Sequence, residues 1–330
     1  MTTPDGAALE FAPEFDQPVP YMQRTRQWYL ALGYGNPYVW AHYLDVPFTP
    51  FAALRKPLSA CRVAIVTSAA PFQPDKGPQG PGAPYNAAAK FYQVYSGATA
   101  SDPDLRISHV AIDRKHTSMA DNRSWFPLAA LRAARAAGRI GELPAHFHGL
   151  PTNRSQRHTL AVDCPDLLAR CRQDAVDVAI LVPNCPVCHQ TCSLAARSLE
   201  QNGIATVVMG CAKDIVEYAG VPRFVFSDFP LGNSAGRPFD EASRAHTLEL
   251  ALRVLESAPG PRTTLQSMLR WSATGDWKLD YCNVERLAPG ELDRRRAESD
   301  RAKEIGERLR DEQLRAGTAR AGEPDALSRK

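Results

Sequence analysis

Three of the chain's eight cysteines fall within eight positions, at Cys185, Cys188 and Cys192, with His189 among them. Two thiols spaced C-x-x-C at the start of a helix share one face, so one sulfur can attack a substrate and the other can close a disulfide. The same residues are soft metal ligands. Together with Cys211 they make a set of four, Cys185, Cys188, Cys192 and Cys211, that would suit zinc or an iron–sulfur cluster. No second C-x-x-C is present to complete a zinc ribbon. The plainest alternative is that these are inert core cysteines.

Local context favours thiol chemistry. Residues 177–182 (DVAILV) read as a buried strand, and Pro183-Asn184 leads from it into a helical stretch that ends at Asn202-Gly203. Cys185 then stands at the helix N-terminus, where unpaired backbone N–H groups and the helix dipole favour an anion, and Pro186 suits the first helical position. The expected result is a lowered pKa and a nucleophilic thiolate at Cys185, with Cys188 as the resolving thiol.

Cys211 follows the run 204–209 (IATVVM), at the carboxyl end of the next strand. A strand, helix and strand crossover sets neighbouring carboxyl ends at one crevice, so Cys211 reads as a second resolving thiol, a fourth ligand or a small core residue. Cys61, Cys164, Cys171 and Cys282 lie outside such positions and read as structural. The same edge gathers His116 as a candidate proton donor, against the plainer reading of an exposed histidine. Asp113, Arg123, His189, Asp228 and Asn233 are the candidate substrate-binding residues, with Arg114, Lys115 and Arg123 able to hold a carboxylate.

The elements that must position these groups alternate between strand and helix. Strand runs are expected at 62–67 (RVAIVT), 107–112 (ISHVAI), 177–182, 204–209 and 223–226 (RFVF). Helical patterns occupy 127–137, 192–202, 212–219 and 240–257. Short Val- and Ile-rich strands separated by helices predict an α/β fold with a mostly parallel sheet flanked by helices, doubly wound and Rossmann- or flavodoxin-like. The loop 71–84 (PFQPDKGPQGPGAP) lacks the spacing of a phosphate loop and reads as a lid over the crevice or a plain surface loop.

Three segments differ in composition. Residues 1–60 form an aromatic N-terminal arm: nine of the chain's 27 aromatics fall between Tyr21 and Phe51, interrupted by prolines that forbid one continuous helix. Such an arm is expected to wrap the body or meet a second subunit. Residues 61–288 hold the α/β core, divisible into 61–160 and 161–288. Residues 289–330 carry 11 Lys/Arg and 10 Asp/Glu and no aromatic, which predicts a charged helical tail over 290–315 without chemistry of its own.

Over all 330 residues, 39 Lys/Arg against 36 Asp/Glu leave +3, and 44% of residues are hydrophobic. Such a chain is neither disordered nor marked by the basic stripe of a nucleic-acid binder, and its longest apolar runs are strand-sized, too short to span a membrane. Acidic residues at 5, 10, 14 and 16 replace the basic start of a secretory signal, so a cytoplasmic setting is expected.

The segment 177–210, with Cys185-Pro-Val-Cys188-His189-Gln190 between two strands, resembles the selenoprotein B family of the glycine, sarcosine, betaine and D-proline reductases. The proline-reductase subunit is the branch it is most similar to. Residues 109–131 (HVAIDRKHTSMADNRSWFPLAAL), 140–143 (IGEL) and 230–233 (PLGN) extend the resemblance over roughly residues 60 to 260. In that family selenocysteine holds the first motif position, attacks the α-carbon of an activated amino acid and displaces nitrogen. Here Cys185 stands at that position. The resemblance implies a thiol-dependent reductase that cleaves a C–N or C–S bond in a small amine or amino-acid-like substrate, with Cys185 as nucleophile and Cys188 as resolving thiol. It further implies an external dithiol or thioredoxin-like electron donor, and a homo-oligomer or a partner subunit. The alternatives are a metal or iron–sulfur protein and a non-catalytic subunit of a reductase complex.

Overall fold

A computed structural model describes residues 17–35, 38–107 and 109–315, with side chains up to residue 309. Along the chain lie α1 (Tyr21–Ala31), β1 (Val63–Thr67), β2 (Ala70–Pro71), β3 (Tyr95–Ala98), β4 (Leu105–Arg106), α2 (Leu128–Ala136), β5 (His146–Gly149) and α3 (Cys164–Gln173). There follow β6 (Val178–Val182), α4 (Pro186–Gln201), β7 (Ala205–Gly210), α5 (Lys213–Tyr218), β8 (Arg223–Phe226), α6 (Glu241–Ser257), β9 (Thr263–Gln266) and α7 (Glu291–Arg315).

Seven strands form one sheet in the order β3-β5-β1-β6-β7-β8-β9. All neighbours run parallel except β3, which pairs antiparallel with β5 at one edge. The sheet draws strands from both 61–160 and 161–288. Its apolar runs are explained by cover on both faces. In β6, Val178, Ile180 and Val182 pack into one core layer while Ala179 and Leu181 pack into the other. Leu248 and Leu252 of α6 and Leu131 of α2 cover the first face. Leu167 of α3 and Cys192, Ala195 and Leu199 of α4 cover the second.

The chain leaves β1 for β5 on one side and then crosses to β6 on the other. The sheet therefore has a flavodoxin-like order, with its switch point between β1 and β6, where the carboxyl ends of an open parallel sheet part to form a crevice. The residues that follow these two strands, from Ser68 and from Pro183, face that crevice first.

Two expectations change here. Residues 107 and 109–112 are not a strand. The place beside β1 is taken by β5, whose register sets Val66 against His148, so Ile107 and Ile112 bury as anchors of an irregular loop instead. The tail helix α7 is not a bare surface helix. Arg296 donates to the Ala31 carbonyl at 2.8 Å, and Tyr34 Oη shares a hydrogen bond with Ser299 Oγ at 3.2 Å. Within the described part of the arm, Tyr21 packs edge-on to Tyr281 with ring centres 4.8 Å apart. Residues 1–16 of the arm and 316–330 of the tail lie outside the described residues. No helix among the described residues is long and apolar enough to cross a membrane.

Candidate functional site

Cys185 leaves β6 in an extended conformation and caps α4, and its Sγ accepts from the Cys188 N–H at 3.3 Å. Pro186 occupies the first helical turn, where a missing N–H costs nothing. Helical geometry then brings Cys188 back beside Cys185, at the carboxyl end of β6 and on the switch point. Ser68, just past β1, closes the other side, and its Oγ accepts from both Asn184 N and Asn184 Nδ2 at 3.1 Å.

A third group joins the thiols. His109, on the loop expected to be a strand, puts Nδ1 3.2 Å from Cys188 Sγ, and Thr152 Oγ1 also lies 3.2 Å from that sulfur. The ligand atoms of His109, Cys185 and Cys188 all lie within 4.8 Å of one another. Both cysteines are buried and His109 is half-buried.

Electrostatics reverse the expected order of the two thiols. Burial pushes Cys185 well above the usual thiol range, and the neighbouring Cys188 adds to it. Burial also works against ionising Cys188, but hydrogen bonds from Cys185, His109 and Ser68 and the charge of His109 outweigh it, so Cys188 is held well below its ordinary value. A helix terminus alone favours Cys185. What overrides it is the convergence of donors on Cys188, three of them from outside α4.

A cavity of about 1220 Å³ lies alongside: the residues next to His109 and Thr152, Val110 and Asn153, line it, while Cys185 and Cys188 do not. Tyr29, Tyr85, Arg114, Arg154 and Tyr281 line it, and each lies close enough to Cys185 to be coupled electrostatically to its sulfur. Arg154 also sits over the Tyr29 ring at 5.1 Å. Lys76, Pro78 and Pro84 of the proline-rich loop form part of the wall, as does Arg295 of the tail helix. Arg114 reaches only carbonyls, those of His109 at 2.5 Å, Val110 at 3.4 Å and Ala83 at 3.2 Å. No carboxylate among the described residues pairs with it, and burial lowers its pKa to about 10.

The remaining candidate residues divide. Asp113 reaches the cavity wall, with Oδ1 accepting from His116 N at 3.1 Å and Oδ2 buried without a partner among the described residues. His116 is instead bonded through Nε2 to Asp280 at 3.0 Å. Arg123 is exposed in a separate depression beside Arg106 and Arg244. Asp228 forms an ion pair with Lys278, and the buried Asn233 braces the Thr117 hydroxyl at 2.8 Å and the Pro230 carbonyl at 3.0 Å.

His189 serves as a clamp. Its Nε2 accepts from Cys211 N at 2.9 Å, so Nδ1 carries the proton and donates to the Cys185 carbonyl at 2.8 Å. Burial lowers its pKa to about 4, which keeps it neutral, and both ring nitrogens are taken. A side chain at Gly210 would put its Cβ 2.8 Å from this ring, so only glycine leaves room for it. His189 therefore fixes the start of α4 against β7 and has no free atom for a substrate.

The four-cysteine ligand set does not assemble. Cys192 belongs to the core on the opposite face of the sheet, one helical turn past Cys188, and Cys211 points to Ser234 Oγ at 3.8 Å with its pKa pushed up to about 12 by burial. Among the described residues the soft-ligand group is His109, Cys185 and Cys188. Sequence reasoning missed His109, Thr152 and Arg154. The last two follow β5, whose residues HFHG carry too little aliphatic character to announce a strand, so nothing placed its outgoing loop at the crevice.

Asp163 also lines the cavity. Its Oδ2 accepts from Asn153 Nδ2 at 2.9 Å, and burial pushes its carboxyl up to about 7 from 3.8. The folded protein therefore binds this proton more tightly than the unfolded chain does. The stabilisation is complete below about pH 4 and is lost as pH rises through about 7, a change of roughly 4 kcal/mol. Asp163→Asn keeps the acceptor and is expected to flatten that fall in urea unfolding at a series of pH values. A variant whose stability still declines between pH 4 and 7 as the parent's does would refute the assignment.

No protein-family model matches the chain, and no solved structure matches it. The chain is similar to the D-proline reductase subunit gamma of Acetoanaerobium sticklandii, at 27% identity over 199 residues that cover 58% of this chain and 78% of that protein, which is a distant proline-reductase-like relationship.

Proposed function

We propose that the chain is a thiol-dependent reductase component that cleaves a C–N or C–S bond in a small amine or amino-acid-like substrate. The observation that carries this reading is the pair Cys185 and Cys188 at the sheet's switch point, with His109 and Thr152 from two other loops each 3.2 Å from the Cys188 sulfur, beside a cavity lined by Arg114 and Arg154. Several cavity-lining groups are coupled electrostatically to Cys185, while Cys188 meets His109 and Thr152.

In the proposed cycle the Cys185 proton passes to the Cys188 thiolate, and the Cys185 sulfur attacks the carbon that bears the heteroatom. A C–S bond forms, and the C–N or C–S bond of the substrate breaks, with the leaving group taking up a proton. That proton is the one Cys188 received, and the Cys188 thiolate so regenerated then attacks the Cys185 sulfur. The new C–S bond breaks, its electron pair stays with the substrate carbon, and that carbon takes a proton. The substrate is reduced by two electrons and the thiol pair is oxidised to a disulfide, which an external dithiol restores. Cysteine at 185 does the work that selenocysteine does in the resembled family. Arg154 and Arg114 give the cavity a cationic lining able to receive a carboxylate. The relative is named a subunit, and a partner subunit that activates the substrate fits this role.

The test uses the protein purified with the subunits that accompany it, reduced, freed of dithiol and mixed with N-substituted and cyclic amino acids. One equivalent of reduced product per chain is expected, together with a Cys185–Cys188 disulfide found by alkylation and peptide mapping. Product formed while both thiols remain open to alkylation would overturn the reading.

A further inference from the structure

The same three groups have a second use that thiol chemistry does not require. We propose that the reduced site binds one soft divalent cation of the zinc class through His109 Nδ1, Cys185 Sγ and Cys188 Sγ, and that occupation blocks the sulfurs. The binding stands on the geometry alone; its inhibitory consequence rests on the reductase reading.

Two thiols and an imidazole are the ligand types zinc prefers, and three protein ligands leave the fourth position of a tetrahedron open. Around one zinc ion the donor atoms lie about 3.5 to 4 Å apart. The three atoms here lie within 4.8 Å of one another, with Cys188 Sγ and His109 Nδ1 at 3.2 Å, so shifts of less than about an ångström, on the scale of ordinary side-chain motion, bring them to that spacing. In the bound state both sulfurs serve as anionic ligands, and any thiol proton still held goes to solvent.

The surroundings are built to hold those donors in place. Arg114 grips the His109 carbonyl at 2.5 Å and so fixes the loop that presents the imidazole. Thr152 Oγ1 lies 3.2 Å from Cys188 Sγ, and the Cys188 N–H points at Cys185 Sγ from 3.3 Å, the kind of outer contact that orients metal ligands. Asn184, adjoining Cys185, is fully buried, and its Oδ1 has no partner among the described residues, which leaves an uncommitted acceptor beside the site. Cys192 and Cys211 are committed elsewhere, so one ion is expected and not a cluster.

The test titrates zinc into the reduced protein against a competing chromophoric chelator, in parallel with cobalt. Expected are one ion per chain, a thiolate-to-cobalt charge-transfer band, and loss of both after alkylation. His109→Ala is expected to weaken zinc binding about tenfold or more, the scale on which even outer-shell changes act, while Cys61→Ser leaves it unchanged. No saturable zinc binding in the unsubstituted protein, or binding that survives alkylation, overturns the proposal whether or not the variants fold. If the protein turns over substrate but binds no zinc, this inference alone fails. If it binds zinc through these residues and shows no thiol-dependent turnover, the site stands and the reductase reading fails.

Discussion

Cys185→Ser and Cys188→Ser are each expected to lower multiple-turnover reduction by about 10³-fold or more, a loss of at least about 4 kcal/mol of transition-state stabilisation. The two differ in how they fail. Without Cys185 no carbon–sulfur bond forms, so neither product nor adduct appears. Without Cys188 the first attack remains open in principle, but the adduct has no thiol within reach to release it. A single-turnover mixture of Cys188→Ser is therefore expected to gain the mass of the substrate fragment on the peptide that carries Cys185. Cys188 is also the sulfur on which His109, Thr152 and Ser68 converge, so its loss slows formation of the adduct as well. Retention of more than about a tenth of the parent rate by either variant would sink the proposed roles, because units that act together lose nearly all activity when one member is removed.

The largest effect on stability is expected at the opposite edge of the fold. Arg223 and Glu200 form an ion pair at 2.7 Å with almost no exposure of either side chain. Glu200 Oε1 also accepts from Thr206 N at 2.5 Å and Thr206 Oγ1 at 2.9 Å, and its other oxygen accepts from Ala52 N. Arg223 donates to the Ala52 carbonyl at 2.8 Å and lies 3.9 Å over the Phe51 ring. Burial raises the Glu200 carboxyl, and the Arg223 charge works against that rise. Arg223→Met strands a buried carboxylate and is expected to cost about 3 to 5 kcal/mol in urea unfolding. The double variant Arg223→Met/Glu200→Gln is expected to recover part of the loss, since no charge is then left without a partner. A single variant within about 1 kcal/mol of the parent, or a double variant no better than Arg223→Met, would show that the pair does not tie the arm to the sheet.

Much of this architecture is legible in the residues. The runs at 62–67, 177–182, 204–209 and 223–226 became β1, β6, β7 and β8, because a parallel strand covered on both faces is apolar at most positions, and the buried exceptions Thr206 and Arg223 are hydrogen-bonded. The strand-to-helix junction at Cys185 was legible for a similarly local reason: proline after an N-cap and an apolar helical period leave few other conformations. Legibility ends where a side chain's role depends on distant backbone. Nothing near His109 announces that it will meet a thiol 79 positions later in the chain. The apolar residues around it suggest a strand, yet they serve as buried anchors of a loop. β9 (TTLQ) escapes notice as a half-buried edge, and Arg114 owes its part to carbonyls that only the folded loop supplies.

The contact between α1 and the tail helix carries a consequence for the order in which the protein is made. Strands β1 to β8 end at Phe226, so the thiol pair and its crevice can form while the tail has yet to be synthesised. The wall that Arg295 contributes, braced by Arg296 on the Ala31 carbonyl, is added only after some seventy further residues, about 4 to 14 s at ordinary elongation rates. Through that interval the crevice stands without the part of the cavity wall that α7 supplies.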